Sequence, residues 1–168
     1  MDRLSRRVRS EARLTGRRIP PRIPIEALIH GSGDRLNLTS RSEYALLALV
    51  HLARHADEGY LPVQAIAAAQ KIPPRFLEQI LLTLKRGRFV RSLKGQKGGF
   101  CLARPAEKIT LADVIRLFDG ALAPTESASK YFYEATPIEK ERKLLRVFKD
   151  IRDVVATRLE ATTLADVS

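Results

Sequence analysis

Between Lys71 and Lys97 the sequence sets eight basic residues against one acid, Glu78. Within that stretch Pro73-Pro74 opens a segment that runs to about Arg86, and Gly87 stops it. Proline is tolerated in the first turn of a helix, and glycine is favoured just past its end. Advancing about 100° per residue from Arg75 places Phe76, Leu77, Ile80, Leu81 and Leu84 between roughly 100° and 240°. On the same wheel Arg75, Arg86 and Gln79 fall at about 0°, 20° and 40°, with Thr83 beside them. One face is therefore apolar. The other offers guanidinium, amide and hydroxyl groups, which bond guanine edges, adenine edges and phosphates in duplex DNA. Many solvated helices carry Arg and Gln with no ligand, so the neighbouring residues decide. Phe89–Leu93 and Phe100–Ala103 are β-prone and flank Lys94-Gly95-Gln96-Lys97-Gly98-Gly99. That is a β-hairpin with Lys94 and Lys97 at its tip. The glycines let such a tip turn sharply and approach a phosphate backbone or a minor groove.

The elements that hold this helix and hairpin are legible on either side. Thr39 or Ser40 is a good N-cap, with Glu43 completing a capping box from Ser40. The following Tyr44–Ala53 is apolar on nearly every face, as in a helix set in the middle of a core. Gly59 and Pro62 bracket a turn, and Ala65–Ala69 is a short helix of strong formers. Thr110 and Asp113 form a second capping box, starting a helix through Phe118. Residues 119–137 read as irregular, and a last helix runs from about Pro137 to Glu160. The expected fold is mainly α with a small β-hairpin. A winged helix-turn-helix occupies 37–104. Residues 105–168 supply a linker helix, an irregular loop and a long C-terminal dimerisation helix. In that last helix Leu144, Phe148, Ile151 and Val155 stand at spacings of four, three and four, widened by Leu145, Val154 and Leu159. Such a heptad-like seam serves an intrachain core or self-association, and self-association is favoured for so long a helix after so small a domain.

The 168 residues suit one domain with appendages and carry a net charge of +11. A balance this basic points to a polyanion. A single cysteine excludes an internal disulfide framework. The longest strongly apolar run, Tyr44–Val50, is far short of a membrane span, and no secretory hydrophobic stretch follows the basic start. The expectation is a soluble, basic, intracellular protein with reduced thiols. Residues 1–35 hold nine arginines and four acids, with an Ile19–Pro24 proline cluster and a Gly31-Ser32-Gly33 linker. Residues 1–36 read as a disordered extension. It is a DNA-binding arm, a targeting segment or sequence translated from upstream of the native start, the last being favoured.

Several stretches together resemble the Rrf2 family of bacterial winged-helix regulators. They are Leu38–Ala45, Phe76–Leu81, Val90–Gly95, Gly98–Phe100, Ile109–Ile115 and the closing Thr162–Val167. The similarity spans about residues 36–167. It implies a homodimer on a pseudo-palindromic operator in double-stranded DNA, acting as a transcriptional repressor. On this reading Thr39, Ser40 and Arg41 clamp phosphate at the first helix N-terminus. Arg75 and Gln79 read major-groove bases with Arg86 alongside. Lys94, Gly95 and Lys97 hold the wing on the backbone or in the minor groove. Many members carry three cysteines for an iron–sulfur cluster between the fourth helix and the dimer helix. Here residues 119–137 contain no cysteine, so no cofactor is expected. The wing also departs, with Gln96-Lys97 where the family often has Pro-Gly.

The remaining candidates each admit two readings. His51 and His55, four apart, suit two metal ligands or ordinary packing, and packing is favoured with no metal site. Cys101, near Arg104, is a redox thiol or a structural cysteine, and the structural role is favoured. Tyr131, Phe132 and Tyr133 line a pocket for an unknown small-molecule effector or pin the loop to the domain, the second being favoured. No nucleotide loop, nucleophile elbow or paired-carboxylate motif is present, so an enzyme is not expected. Two further classes stay open: a basic RNA-binding or ribosome-associated protein, and an adaptor that kept the fold and lost DNA binding.

Overall fold

The computed structural model describes residues 38–95 and 98–168; the expectations placed on residues 1–36, Gln96 and Lys97 lie outside these. Helix α1 (Ser40–Arg54) begins where the Thr39 hydroxyl accepts from the Ser42 amide, so Thr39 rather than Ser40 is the cap. The helix buries Ser42, Ala45, Ala48, Leu49 and Leu52, while Leu47 is exposed. It therefore lies along the core with one open side, not at its centre. Helix α2 (Val63–Gln70) buries Ile66 and Ala67 and closes on Lys71, which adopts a left-handed φ of 53°.

Helix α3 (Pro74–Arg86) buries Leu77, Ile80, Leu81 and Leu84 completely. Phe76, at the border of that arc, departs from the expected core face. It stays 36% exposed and packs edge-on against Tyr44 with ring centroids 5.7 Å apart. The helix stops by a different device from a left-handed glycine. Gly87 has φ −74°, and Arg88 takes the left-handed turn at φ 60°. Glycine is needed at 87 because a Cβ there would lie 2.9 Å from Cδ2 of Phe89 and 3.0 Å from Cδ2 of Leu117.

Strands β1 (Val90–Leu93) and β2 (Gly99–Leu102) pair antiparallel, with Arg91 opposite Cys101. A third segment joins them. Leu61 and Phe100 exchange both backbone hydrogen bonds, at 2.9 and 2.8 Å. This ties the connection between α1 and α2 to the wing. A Cβ at Gly99 would come within 2.1 Å of the Leu61 carbonyl oxygen, so only glycine admits the third segment.

Helix α4 (Leu111–Asp119) is capped by Thr110, which accepts from the Asp113 amide at 3.1 Å. Helix α5 (Arg142–Ala161) starts five residues later than the sequence pattern suggests, because Pro137–Lys140 first forms a 3₁₀ turn. After α5 the chain returns beside the start of α4. Leu111 donates to Thr162 and Leu164 to Ile109, both at 2.9 Å, and Leu164 is fully buried. The main core joins α1, α2, α3, the hairpin and α4; a smaller cluster of Ala112, Ile115 and Leu122, backed by Ala156 and Leu159, joins α4 to α5. No helix among the described residues is long and apolar enough to cross a membrane.

Replacing Gly99 with alanine forces its new methyl into the Leu61 backbone. The expected result is a loss of about 2 kcal/mol or more in urea unfolding. Unchanged stability would contradict the close approach.

Candidate nucleic-acid interface

The side of α3 opposite its four buried residues is open to solvent. Arg75, Gln79 and Arg86 are all exposed there. Neither arginine is ion-paired with a described residue. Thr83 is half-buried, and its hydroxyl donates back to the Gln79 carbonyl at 3.1 Å. That bond occupies its proton and leaves only acceptor capacity. Glu78 is exposed on the same helix, a residue the sequence reading counted only as a lone acid. A carboxylate in that position can accept from a cytosine amino group. The C-terminal end of α3 is fastened to the wing, because Lys85 Nζ donates to the Ser92 hydroxyl of β1 at 2.7 Å. Lys94 and Gly95 stand exposed at the hairpin tip. Gly95 has φ +107°, and its carbonyl accepts from the Gly98 amide at 2.9 Å.

At the N-terminus of α1 the structure adds a partner that the sequence reading missed. The carboxylate of Asp119, last residue of α4, accepts from the Thr39 amide at 3.3 Å, from the Thr39 hydroxyl at 2.5 Å and from the Ser42 hydroxyl. A helix N-terminus attracts anions through its unpaired amides and its dipole. Here the Asp119 carboxylate lies beside that terminus and bonds the cap residue itself. Thr39 is thereby joined to α4, and it is exposed together with Ser40 and Arg41. One feature of the sequence signalled this. An acid in the last turn of a helix opposes the helix dipole, so Asp119 needs a partner elsewhere.

Helix α5 has no buried residue along its 20 positions. Leu144, Val147, Ile151 and Val154 are 42–59% exposed and follow one another at spacings of three, four and three. Phe148 and Val155, expected in the seam, are half-buried and turned toward the chain's own side of the helix. The open stripe thus keeps Leu144 and Ile151 but takes Val147 and Val154 in their place.

The three aromatics divide. Tyr131 and Phe132 border a cavity between α4, α5 and the loop that joins them. Tyr133 instead donates its hydroxyl to Glu139 at 2.6 Å, which raises its pKa above 10.0. Cys101 is buried on β2, and its Sγ accepts from Arg91 Nε at 3.1 Å; the relevant arginine is the cross-strand Arg91, not Arg104. Arg104 lies over the Phe89 ring at 4.4 Å.

The two histidines are engaged with the protein. His55 Nδ1 lies 2.8 Å from the His51 carbonyl, and Gln70 Nε2 lies 3.3 Å from His51 Nδ1. Their rings pack with centroids 4.2 Å apart. Burial, reinforced by His55, lowers the His51 pKa below 6.5.

A sequence model of the Rrf2 family, described as an iron-dependent transcriptional regulator, matches residues 38–168. Among curated proteins, Rv1287 of Mycobacterium tuberculosis is 38% identical over 133 residues, covering 79% of this chain and 81% of its own. The HTH-type transcriptional regulator CymR of Bacillus subtilis is 28% identical over 79% of this chain and 90% of its own. Among solved structures, CymR, the global cysteine regulator of B. subtilis, superposes with a TM-score of 0.64 at 29% identity, covering 79% of this chain and 96% of its own. IscR of T. potens gives 0.57 at 28% identity, covering 79% and 85%. The fold is therefore the winged helix of these regulators, and the chain is not an enzyme. The iron of the family description does not fit the donors present. The segment 119–137 has no cysteine. Among the described residues no three His, Cys, Asp or Glu side chains cluster as a metal site would require.

A histidine whose folded pKa lies below its unfolded value binds its proton more readily in the unfolded chain, so its contribution is present at high pH and lost as pH falls. Urea midpoints are expected to drop as pH falls below about 6.5, and to drop less in His51→Gln. An identical pH slope in the variant would contradict this.

Proposed function

This chain belongs to the Rrf2 family of transcriptional regulators, and we propose that it is a sequence-specific repressor that binds a pseudo-palindromic DNA operator as a homodimer in the bacterial cytoplasm. The observation that carries this reading is the open face of α3. Its buried side fixes the helix against the core, while Arg75, Gln79 and Arg86 face solvent with both guanidinium groups free of carboxylates among the described residues. Arginine and glutamine there suit bidentate contacts to guanine and adenine in the major groove. Arg86, Ser40 and Arg41 take backbone phosphates. Lys94 and Gly95, with Lys97 beyond them, place the wing on the backbone or in the minor groove.

The dimer is supported by the apolar stripe of α5. Four large hydrophobics in one line, among exposed positions that are otherwise mostly charged, form the kind of surface that is normally covered by a partner. Their spacing suits helix-against-helix packing with a second copy. Two recognition helices related by a two-fold axis read two half-sites about one helical turn apart, which is why the operator is an inverted repeat. The described residues offer a DNA-facing and a partner-facing surface, an arrangement suited to blocking a promoter by occupying it.

Fluorescence anisotropy with the chain's own upstream DNA, a scrambled duplex and a folded RNA tests the reading. The upstream duplex is expected to bind at least about 10²-fold more tightly than the scrambled one. Preference for RNA would overturn it. Within the complex, Arg75→Ala should relax preference at one base pair by about 1–3 kcal/mol, whereas Lys94→Ala should weaken all duplexes alike and reduce the salt slope by about one. Equal losses across sequences for both variants would refute the division of roles. Ile151→Glu should sediment as a folded monomer and lose operator affinity; a variant that stays dimeric would place the interface elsewhere.

A further inference from the structure

The cavity between α4, α5 and their connecting loop has a volume of about 170 Å³. From its chemistry we infer that it is a binding site for a small organic monocarboxylate with a compact apolar body. Arg116, Lys130 and Arg152 line it together with Asp153 and Glu160. Three cations against two carboxylates leave one positive charge. Each carboxylate is bonded through one oxygen by an arginine, Glu160 by Arg116 and Asp153 by Arg152, so both negative charges are compensated within the lining. The donors are not equally available. Arg152 bonds Asp153 through Nε at 2.8 Å and through a terminal nitrogen at 2.6 Å, and its other terminal nitrogen bonds the Ala128 carbonyl. Its fork is full. Arg116 is bonded only at one terminal nitrogen among the described residues, and a guanidinium has five donors. Lys130 has no carboxylate partner among them. These two are the least engaged cations of the lining, and both lie near the Tyr131 ring, at 5.0 and 5.3 Å from its centroid.

The rest of the lining fits the apolar part of such a molecule. Phe132, Leu122, Ala123 and Ala156 supply carbon surface. The volume is below the roughly 300–1,000 Å³ of pockets for drug-sized ligands, which limits the occupant to about the size of benzoate. The site also stays open in the dimer proposed above. On the α5 wheel, at about 100° per residue, the lining residues Arg152 to Glu160 centre roughly opposite the Leu144, Val147, Ile151 and Val154 stripe.

The position gives binding a consequence. Arg116 lies one turn before Asp119 on α4, and Asp119 accepts from Thr39, the cap of α1, and from Ser42, beside the exposed Ser40 and Arg41. A carboxylate that draws Arg116 away from Glu160 acts on the same last turn of α4. This second step rests on the DNA-binding reading; the site itself does not.

Isothermal titration of the full chain without DNA, using benzoate, benzamide and benzylamine, tests the site. Benzoate is expected to bind, with the amide and the amine weaker by about tenfold or more, as the loss of a charge-assisted hydrogen bond requires. Arg116→Gln should weaken benzoate by a similar factor. Lys130→Gln, an exposed loop change that leaves the fold intact, should do so as well. Absence of benzoate heat, equal binding of benzamide, or full affinity in Lys130→Gln would overturn the proposal. Benzoate heat in a protein that fails to select any duplex still supports the site, so failure of the DNA reading is seen separately. In anisotropy, benzoate should shift DNA affinity in the native chain and not in Asp119→Asn, which should keep its benzoate heat. Loss of that heat in Asp119→Asn would contradict the coupling.

Discussion

The rotation of α3 about its own axis is set by four side chains, Leu77, Ile80, Leu81 and Leu84, none of which reaches solvent. The DNA-reading face proposed for this protein depends on that constraint. Burying a leucine or isoleucine side chain is worth about 1.5–3 kcal/mol, so turning the helix to expose this face is prohibitive. With the inner face fixed, Arg75, Gln79 and Arg86 have only the outer face available. The Lys85–Ser92 bond and the Leu61–Phe100 pairing then hold the hairpin against the same helix. Helix and wing form one rigid surface instead of two independent appendages.

Helix α4 is the second organising element. Its apolar face enters both the main core and the cluster shared with α5. Its last turn makes two polar connections of opposite direction: Arg116 reaches Glu160 on α5, and Asp119 reaches Thr39 and Ser42 at the start of α1. The helix therefore links α5, which carries the stripe proposed for a partner copy, to the start of α1, beside the face proposed for nucleic acid. A regulator needs some element of this kind, because a signal received in one place has to alter an affinity in another.

Much of this architecture is legible in the sequence where it depends on local pattern. The apolar arc of α3, the caps at Thr39 and Thr110, the hairpin and the irregular 119–137 stretch all follow from spacing and turn chemistry. What the sequence conceals is pairing between distant segments. Leu61 joins the hairpin through backbone bonds that carry no side-chain signature, and the return of Thr162–Leu164 to Ile109–Leu111 is equally silent. Phe76 sits at the border of its arc, where a wheel cannot decide between core and edge; contact with Tyr44 settles it. In α5 the wheel identifies a broad apolar face, but which half turns inward depends on α4. Val147 and Val154 therefore emerge as exposed, and Phe148 and Val155 do not. Thr39 is read from the sequence as a cap but not as a partner of Asp119, since the two stand 80 positions apart.

The central claim is that two copies of α3 read base edges in the major groove. Selection of binding sequences from a pool of random duplexes tests it most directly, because it presumes no target. The account predicts enrichment of an inverted repeat whose half-sites are centred about one helical turn or a multiple of it apart. Recovery of duplexes with no common sequence, bound with an affinity that merely collapses as salt rises, would leave only the electrostatic attraction of a basic protein and would contradict the claim.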